Sequence, residues 1–314
     1  MNLTRLRWSD IPDSLRNRAE QAVATPLREV TSASGGFTPG VASTVAGESG
    51  TRFFAKAIAR HTSEVAAAYL REARIAEALP PQTPSPRLLW WHDDGTWIVM
   101  LFEHVDGRTP DIADLDPVMT AVAALGRTPG PPGLPRLVDE FAEDFTGWRD
   151  IAGAASWETV TLAYPELAGA SIDVLAAREE RWADAADGTA LVHGDLRLDN
   201  MILAADGIRI VDWPNACTGA GWVDLVLMTP SLAMQGVDVE QLLDEHPLTR
   251  EANRENLDTI LVAGAGYFVS RSLLPPPPAA PAVRDFQRAQ AEALLAWLGP
   301  RCPDILTDRA RPCP

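Results

Sequence analysis

Residues 191–213 read LVHGDLRLDNMILAADGIRIVDW, and the rest of the chain is interpreted around them. The hydrophobic pattern predicts a buried strand over residues 190–192 and a polar loop over residues 193–200. Two short apolar strands follow, joined by Asp206 and Gly207. An Asp-Gly pair between apolar runs is the strongest short-range signal for a hairpin with a two-residue turn. The stretch therefore predicts a strand, a loop and a tight hairpin.

This turn predicts the register of the hairpin. Ala205 is expected to pair with Ile208. Counting back along both strands then sets Met201 opposite Asp212, because each step along one strand is matched by a step along its partner. Asn200 and Asp212 are therefore expected together at the open end of the hairpin.

Asp195 lies in the loop that leads into this open end, so two carboxylates and one amide are expected to converge there. None of the three residues (Asp195, Asn200 and Asp212) is a His or a Cys. Such hard oxygen donors suit Mg²⁺ far better than zinc. This donor chemistry is typical of a phosphoryl-transfer site.

The motif HGDLRLDN at residues 193–200, followed by a strand that ends in Asp212 and Trp213, resembles the catalytic and metal loops of the aminoglycoside phosphotransferase family. That family is related to the protein kinases, whose motifs are H-R-D-x-x-x-x-N and D-F-G. This chain keeps the Asp-to-Asn spacing but has Gly194 in place of Arg and Trp213 after the metal aspartate, as antibiotic kinases and choline kinases do.

The resemblance implies a role for each residue of the motif. Asp195 would accept or orient the proton of the substrate hydroxyl, whereas Asn200 and Asp212 would hold Mg²⁺ against the phosphates of ATP. Residue chemistry alone leaves a second interpretation open, in which Asp195 caps a turn and Asp212 simply ends a strand.

Lys56 is the only lysine among the 27 basic residues of the chain, and it falls in the middle of an apolar strand predicted over residues 51–59. A buried ammonium needs a carboxylate or phosphate partner. A helix is predicted over residues 63–79, and Glu72 is the one charge near the centre of its apolar face. This arrangement resembles the strand lysine and helix glutamate that hold ATP phosphates in kinase-like folds. The alternative is two unrelated residues.

Two further nucleotide contacts follow from the resemblance. The glycine-rich turn with Ser34, Gly35 and Gly36 would cover the phosphates, since absent side chains let backbone amides approach the oxygens. An ordinary hairpin turn explains the same residues. The polar connector after the apolar strand of residues 97–102 looks like the hinge between kinase lobes, with backbone contacts to adenine at Glu103 and Val105.

The fold class implied is α+β, a two-lobed protein-kinase-like fold with an antiparallel sheet in the N-lobe and a mainly helical C-lobe. The N-lobe would comprise residues 1–102 and would bind the nucleotide. The hinge would comprise residues 103–107. The C-lobe, residues 108–314, would carry the catalytic loop, the metal loop and the substrate site.

The composition narrows the partners. A formal net charge of −16 argues against nucleic acid or an anionic membrane surface, because both require basic patches. A cationic small molecule would be attracted, although acidity also simply keeps a protein soluble. Four acidic residues could receive its amines or form a solvated helix face: Asp139, Glu140, Glu143 and Asp144.

The three cysteines (Cys217, Cys302 and Cys313) are few and lack metal-ligand spacing, which favours a reduced, cytoplasmic protein.

Residues close to the motif give information on the substrate and on the loop that carries Asp195. Pro214 and Asn215 follow Trp213 where the family usually has Glu, which weakens an assignment to typical aminoglycosides. Arg197 could contact phosphate or substrate, or pair with Asp199. Asp224 either stabilises the catalytic region, as the resemblance implies, or caps a helix.

The function expected is the transfer of the γ-phosphate of Mg·ATP to a hydroxyl of a small molecule, such as an aminoglycoside or nucleoside antibiotic. A metabolic kinase of an amino alcohol or sugar is the first alternative. A nucleotide-binding pseudokinase would have lost a metal or catalytic carboxylate, and the sequence retains them all. A plain helical protein would leave the pairing of Lys56 with Glu72 unexplained.

Overall fold

The chain divides into two units in the computed structural model, and the second segment of unit 1 carries the end of the motif. Unit 1 comprises Met1–Pro110 and Leu198–Ala216, and unit 2 comprises Asp111–Arg197 and Cys217–Pro314. The structure describes residues 6–32, 40–154, 157–277 and 282–306. Among these residues, no helix is both long enough and apolar enough to span a membrane.

Unit 1 is built on a five-stranded antiparallel sheet with the strand order β1-β2-β3-β5-β4. Its strands are β1 (Arg28–Ser32), β2 (Val41–Ala46), β3 (Arg52–Ala59), β4 (Leu88–Asp93) and β5 (Trp97–Glu103). One face packs on helix α1 (Asp13–Ala22) and the other on helix α2 (Ser63–Ala78). The predicted antiparallel sheet is therefore present.

Strand β3 alternates between these two faces. Phe53 and Ala55 belong to the apolar cluster that includes α1, whereas Ile58 packs with Tyr69 of α2. Because successive strand residues point to opposite faces, Lys56 shares the face of Ile58. The period-two pattern thus points the single lysine at the helix that carries the expected glutamate.

A second sheet of unit 1 contains the hairpin and corrects its predicted register. Its strands are β6 (Gly107–Arg108), β8 (Met201–Ala204) and β9 (Gly207–Ile210), in the order β6-β8-β9. Ala204 pairs with Gly207 and Met201 with Ile210, so the predicted pairing of Met201 with Asp212 is wrong by two residues. The turn consists of Ala205 and Asp206, because Gly207 starts the strand at φ +124°.

Unit 2 is mainly helical. A short antiparallel ladder pairs β7 (Ala190–Val192) with β10 (Cys217–Gly219). The helices are α3 (Leu115–Gly126), α4 (Leu137–Glu140), α5 (Gly147–Gly153), α6 (Trp157–Ala163), α7 (Ile172–Glu179), α8 (Trp182–Ala185), α9 (Val223–Ala233), α10 (Val239–Glu245), α11 (Arg254–Ser272), α12 (Val283–Arg301) and α13 (Pro303–Leu306).

Two separate helices, α4 and α5, lie in this part of the chain, and a glycine contact explains where α5 starts. A Cβ on Gly147 would lie 2.1 Å from the carbonyl oxygen of Gly266 in α11. Glu179, fully buried, accepts hydrogen bonds from the backbone N–H groups of Trp148 and Arg149 at 3.0 and 3.1 Å. Close backbone packing and a buried acceptor fix the start of α5 against α7 and α11.

Candidate active site

Unit 1 brings together the lysine and two of the predicted carboxylates. The Nζ atom of Lys56 lies 2.5 Å from Oε2 of Glu72 and 2.9 Å from Oδ1 of Asp212. The Glu72 side chain is 4% exposed and the Lys56 side chain 14% exposed. A charge pair that is so well shielded from water is expected to be strongly coupled. The predicted pairing of Lys56 with Glu72 is therefore present as an ion pair.

The pKa of Lys56 records the balance of forces at this site. Burial works against the ammonium, but the charges of Glu72 and Asp212 outweigh it and raise the pKa above its ordinary value. Glu72 also accepts a hydrogen bond from the backbone N–H of Trp213, which ties the carboxylate to the end of the hairpin. Lys56 therefore remains a cation, ready to meet an anionic ligand.

Asp212 adopts an uncommon backbone conformation, with φ +70°. A non-glycine residue in this left-handed region is worth attention, although Asp and Asn tolerate it better than other residues. Its side chain is half exposed and still contacts Lys56. Replacement by Asn is thus the change that removes the charge with the least effect on the backbone.

Asn200 lies at the open end of the hairpin, as expected, although the register is shifted. Its backbone carbonyl accepts from the N–H of Val211 at 2.9 Å, one residue before Asp212. Within the described ranges, no group of three or more His, Cys, Asp or Glu residues is placed to hold a metal ion. A site of one amide and one carboxylate fits Mg²⁺, which proteins bind through few side chains plus phosphate oxygens and water.

Asp195 lies in unit 2, in the loop that follows β7, and Asp224 shapes that loop. The two carboxylate oxygens of Asp224 accept from the backbone N–H groups of His193 at 2.7 Å and Gly194 at 2.9 Å. Gly194 has φ +83°, a conformation that favours glycine. Trp222, and not Asp224, is the N-cap residue of α9. Of the two interpretations of Asp224, the structure favours stabilisation of the loop.

We expect Asp224→Ala to lower the free energy of unfolding by about 2–4 kcal/mol, because it leaves two buried N–H groups without an acceptor. Asp224 is 4% exposed, so water does not readily replace the lost carboxylate. Asp224→Asn keeps one acceptor oxygen and should cost less. Urea denaturation of the three proteins at pH 7 tests this order. Equal stability of wild type and Asp224→Ala would contradict it.

The stability should also depend on pH through Asp224. Burial raises the pKa of Asp224 to about 6, even though the two backbone N–H groups oppose the rise. The unfolded chain ionises near the ordinary value of about 3.9, so rising pH removes stability between about pH 4 and 6 and none above that. Relative to the non-titrating Asp224→Asn, wild type should be about 2 kcal/mol less stable at pH 7 than at pH 4. A difference that does not change with pH would contradict the assignment.

Arg197, two residues after Asp195, is a residue whose binding partner the sequence left open. Its Nη1 donates to Oδ1 of Asp195 at 2.7 Å, and its guanidinium lies 5.7 Å from the ring centre of Phe286 in α12. The sequence offered Asp199 or a ligand as partners of Arg197, and Asp195 is a partner that it did not name. Asp195 and Asp199 both lie two positions from Arg197, so spacing treats them alike. His193 Nδ1 accepts from the backbone N–H of Asp195 at 3.3 Å.

The structure does not test the other predicted nucleotide contacts, at Glu103, Val105 and the glycine-rich turn. Glu103 ends β5, its backbone N–H donates to the carbonyl of Arg87, and its carboxylate pairs with the Arg87 guanidinium. Val105 follows in the connector to β6. Their backbone contacts to adenine stay a prediction. The glycine-rich turn (Ser34, Gly35 and Gly36) lies outside the described residues.

The structure also describes the predicted acidic cluster and two of the three cysteines, all of them in unit 2. The four acidic residues lie on two segments: Asp139 and Glu140 in α4, and Glu143 and Asp144 before α5. Asp144 pairs with Arg271 of α11 at 3.2 Å, so it is not simply a solvated charge. Cys217 and Cys302 are buried and free, whereas Cys313 lies outside the described residues.

Comparison with known proteins identifies the family of the chain. The sequence model of the phosphotransferase enzyme family (APH) matches residues 29–246, which include Lys56, Glu72 and the whole motif around Asp195. The chain therefore belongs to the phosphotransferase enzyme family, and the predicted resemblance is confirmed. It is an enzyme of the small-molecule kinase class. No curated protein sequence matches the chain.

Solved structures show the same fold. A candidate fructosamine-3-kinase from Thermobifida fusca YX-ER1 aligns with a TM-score of 0.57, 19% identity, and coverage of 91% of this chain and 99% of its own. A second, from Haemophilus somnus 129PT, aligns with a TM-score of 0.54 and 14% identity, and the alignment covers 90% of this chain and 96% of its own. The amicoumacin kinase hAmiN, solved with AMP-PNP, Ca²⁺ and Ami, aligns with a TM-score of 0.51 and 11% identity, and the alignment covers 96% of each chain. The predicted kinase-like fold is confirmed.

Proposed function

We propose that this chain transfers the γ-phosphate of ATP, with Mg²⁺, to a hydroxyl group of a small molecule. The observation that carries the proposal is the contact of Lys56 with both Glu72 and Asp212. A structural ion pair needs one carboxylate, whereas here a single cation meets a buried carboxylate and a half-exposed one. Such an arrangement suits a lysine that is oriented by Glu72 and can reach a ligand.

Each residue of the proposed site has a separate task. Lys56, fixed by Glu72, would bind the phosphates of the nucleotide, and Asn200 and Asp212 would hold the metal. When bound, Mg²⁺ neutralises the charge that develops on the phosphate oxygens. Asp195 would accept or orient the proton of the attacking hydroxyl. Because phosphoryl transfer relies on positioning and electrostatics, these few groups are sufficient for the chemistry.

The nucleotide and the metal have support outside the chain. The amicoumacin kinase hAmiN was solved with AMP-PNP and Ca²⁺, a nucleotide and a divalent cation of the kinds proposed here. Within the chain, the donor atoms of Asn200 and Asp212 are oxygens. Family membership and the donor chemistry together support the proposal of ATP and Mg²⁺.

The acceptor is proposed at the level of class. The chain has no basic bias that would favour nucleic acid or a membrane, with a formal net charge of −16. An antibiotic acceptor, with resistance by inactivation, is our first candidate. The likeness to two candidate fructosamine-3-kinases favours a metabolic kinase of a sugar or amino alcohol as the second. Both would act in the cytoplasm, which the small number of cysteines favours.

A pooled acceptor screen tests the proposal. ADP release with Mg·ATP would be measured over pools of aminoglycosides, nucleoside antibiotics, amino alcohols and sugars. We expect turnover with one pool, and drug resistance when the gene is moved into a sensitive host if the acceptor is an antibiotic. A wild-type protein that neither reacts with any pool nor gains thermal stability from Mg·ATP would contradict the proposal.

A further inference from the structure

The surface of unit 2 beside Asp195 carries features that the proposed function does not use. We call it the acceptor face, and it comprises Asp195, Arg197, Tyr267 and Phe286, with the charged groups described below. Arg197 connects Asp195 to Phe286 through the 2.7 Å hydrogen bond and the 5.7 Å contact over the ring. Phe286 is 41% exposed, so part of its ring is open to a ligand.

A second aromatic side chain, Tyr267, is bonded to the residue that follows Phe286. Tyr267 of α11 is close enough to Asp195 for the two to interact electrostatically, and it shares a side-chain hydrogen bond with Gln287, the residue after Phe286. Arg284 donates to Oε1 of Gln287 at 2.7 Å, which leaves the amide nitrogen of Gln287 for Tyr267. Gln287 thus connects Tyr267 to α12, and Arg197 connects Phe286 to Asp195.

Two carboxylates of the acceptor face are paired with arginines. Asp144 pairs with Arg271 at 3.2 Å, and Arg271 also lies 5.7 Å from the ring centre of Tyr267. Glu143 interacts electrostatically with Asp144, and Arg284 is bonded to Gln287. Asp195 is paired with Arg197 in the same way, so two of these carboxylates have a guanidinium partner. The large negative charge of the whole chain is therefore not concentrated on this face.

We infer that the acceptor is a ring-bearing alcohol with at most one positive charge, seated on Phe286 and Tyr267, and not a polyamine. This inference rests on the proposed phosphotransferase function and narrows its substrate. Aromatic faces bind the apolar faces of sugar and heteroaromatic rings. A polyamine needs several unpaired carboxylates, whereas Asp144 and Asp195 already have arginine partners.

The test compares acceptors that differ in charge, at saturating Mg·ATP: a neutral nucleoside, a macrolide with one amine, and an aminoglycoside with several. We expect ADP release with a low-charge acceptor. Phe286→Ala should raise the KM of that acceptor about tenfold and leave the KM of ATP unchanged. Leu162→Ala is the matched control, because Leu162 is a 78% exposed apolar residue of α6. It should change neither constant.

A charge variant gives an independent readout. Arg271→Gln leaves the carboxylate of Asp144 without its guanidinium partner and next to the charge of Glu143, so the variant should bind aminoglycosides more tightly than wild type in calorimetry. The inference is overturned if wild type prefers the aminoglycoside, if Phe286→Ala leaves the acceptor KM unchanged, or if no low-charge acceptor reacts while Mg·ATP still stabilises the protein. Absence of both Mg·ATP stabilisation and ADP release would instead overturn the proposed function, and the acceptor inference with it.

Discussion

Asp195→Asn should reduce kcat by a factor of about 10²–10⁴ while nucleotide binding is retained. The amide keeps the shape of the carboxylate and its contact with Arg197 through an oxygen, but it cannot take a proton from the attacking hydroxyl. The measurement is ADP release with the acceptor found in the screen, beside the thermal shift produced by Mg·ATP.

Asp187→Asn is the matched control for this variant. Asp187 is an exposed aspartate of the same unit and is likewise bonded to an arginine, Arg136, at 3.0 Å. Its replacement should change neither kcat nor the thermal shift. If Asp195→Asn retained wild-type kcat, Asp195 would be a loop residue, as the alternative interpretation of the sequence holds.

Lys56→Met should abolish phosphoryl transfer and also destabilise the protein by about 3–5 kcal/mol. The stability is lost because the 4% exposed carboxylate of Glu72 is left in the protein interior without its cation. Urea denaturation measures the second effect, and ADP release measures the first. Loss of activity alone would not distinguish them.

The double variant Lys56→Met/Glu72→Leu separates the two effects. Replacing both members of a buried pair by apolar residues is often neutral for stability. We therefore expect the double variant to recover most of the lost stability while activity stays absent. Recovery of activity together with stability would show that Lys56 has only a structural role.

The pairing of Lys56 with Glu72 was predictable because each residue is placed by a local rule. The period of two puts Lys56 on one face of β3, and the period of 3.6 puts Glu72 inside the apolar face of α2. The two elements pack against each other in unit 1. Because the chain has a single lysine, only one lysine had to be considered, and the structure excludes the alternative of two unrelated residues.

The hairpin shows where a local rule was insufficient. The Asp-Gly rule put Asp206 and Gly207 in the turn, whereas Ala205 and Asp206 occupy it and Gly207 supplies its positive φ to the first residue of β9. Both registers place the same side chains on each face, since they differ by an even number of residues. The hydrophobic pattern could not distinguish them.

Long-range packing was outside the reach of the sequence. Nothing local indicates that Gly147 meets Gly266, or that the buried carboxylate of Glu179 binds the first N–H groups of α5. The same holds for the partner of Arg197, which depends on how the chain leaves Asp195. The acceptor face is built from such contacts, which is why the substrate was the least predictable part.

The most direct test of the central claim follows the phosphoryl group itself. Wild type would be incubated with Mg²⁺, ATP labelled at the γ-phosphate, and the acceptor pools, beside Asp212→Asn and the exposed control Asp206→Asn. We predict that the label appears in an ester of one acceptor in equal amount to the ADP formed, and that Asp212→Asn abolishes this transfer while Asp206→Asn does not. Label that enters no acceptor, or transfer that survives Asp212→Asn, would contradict the account.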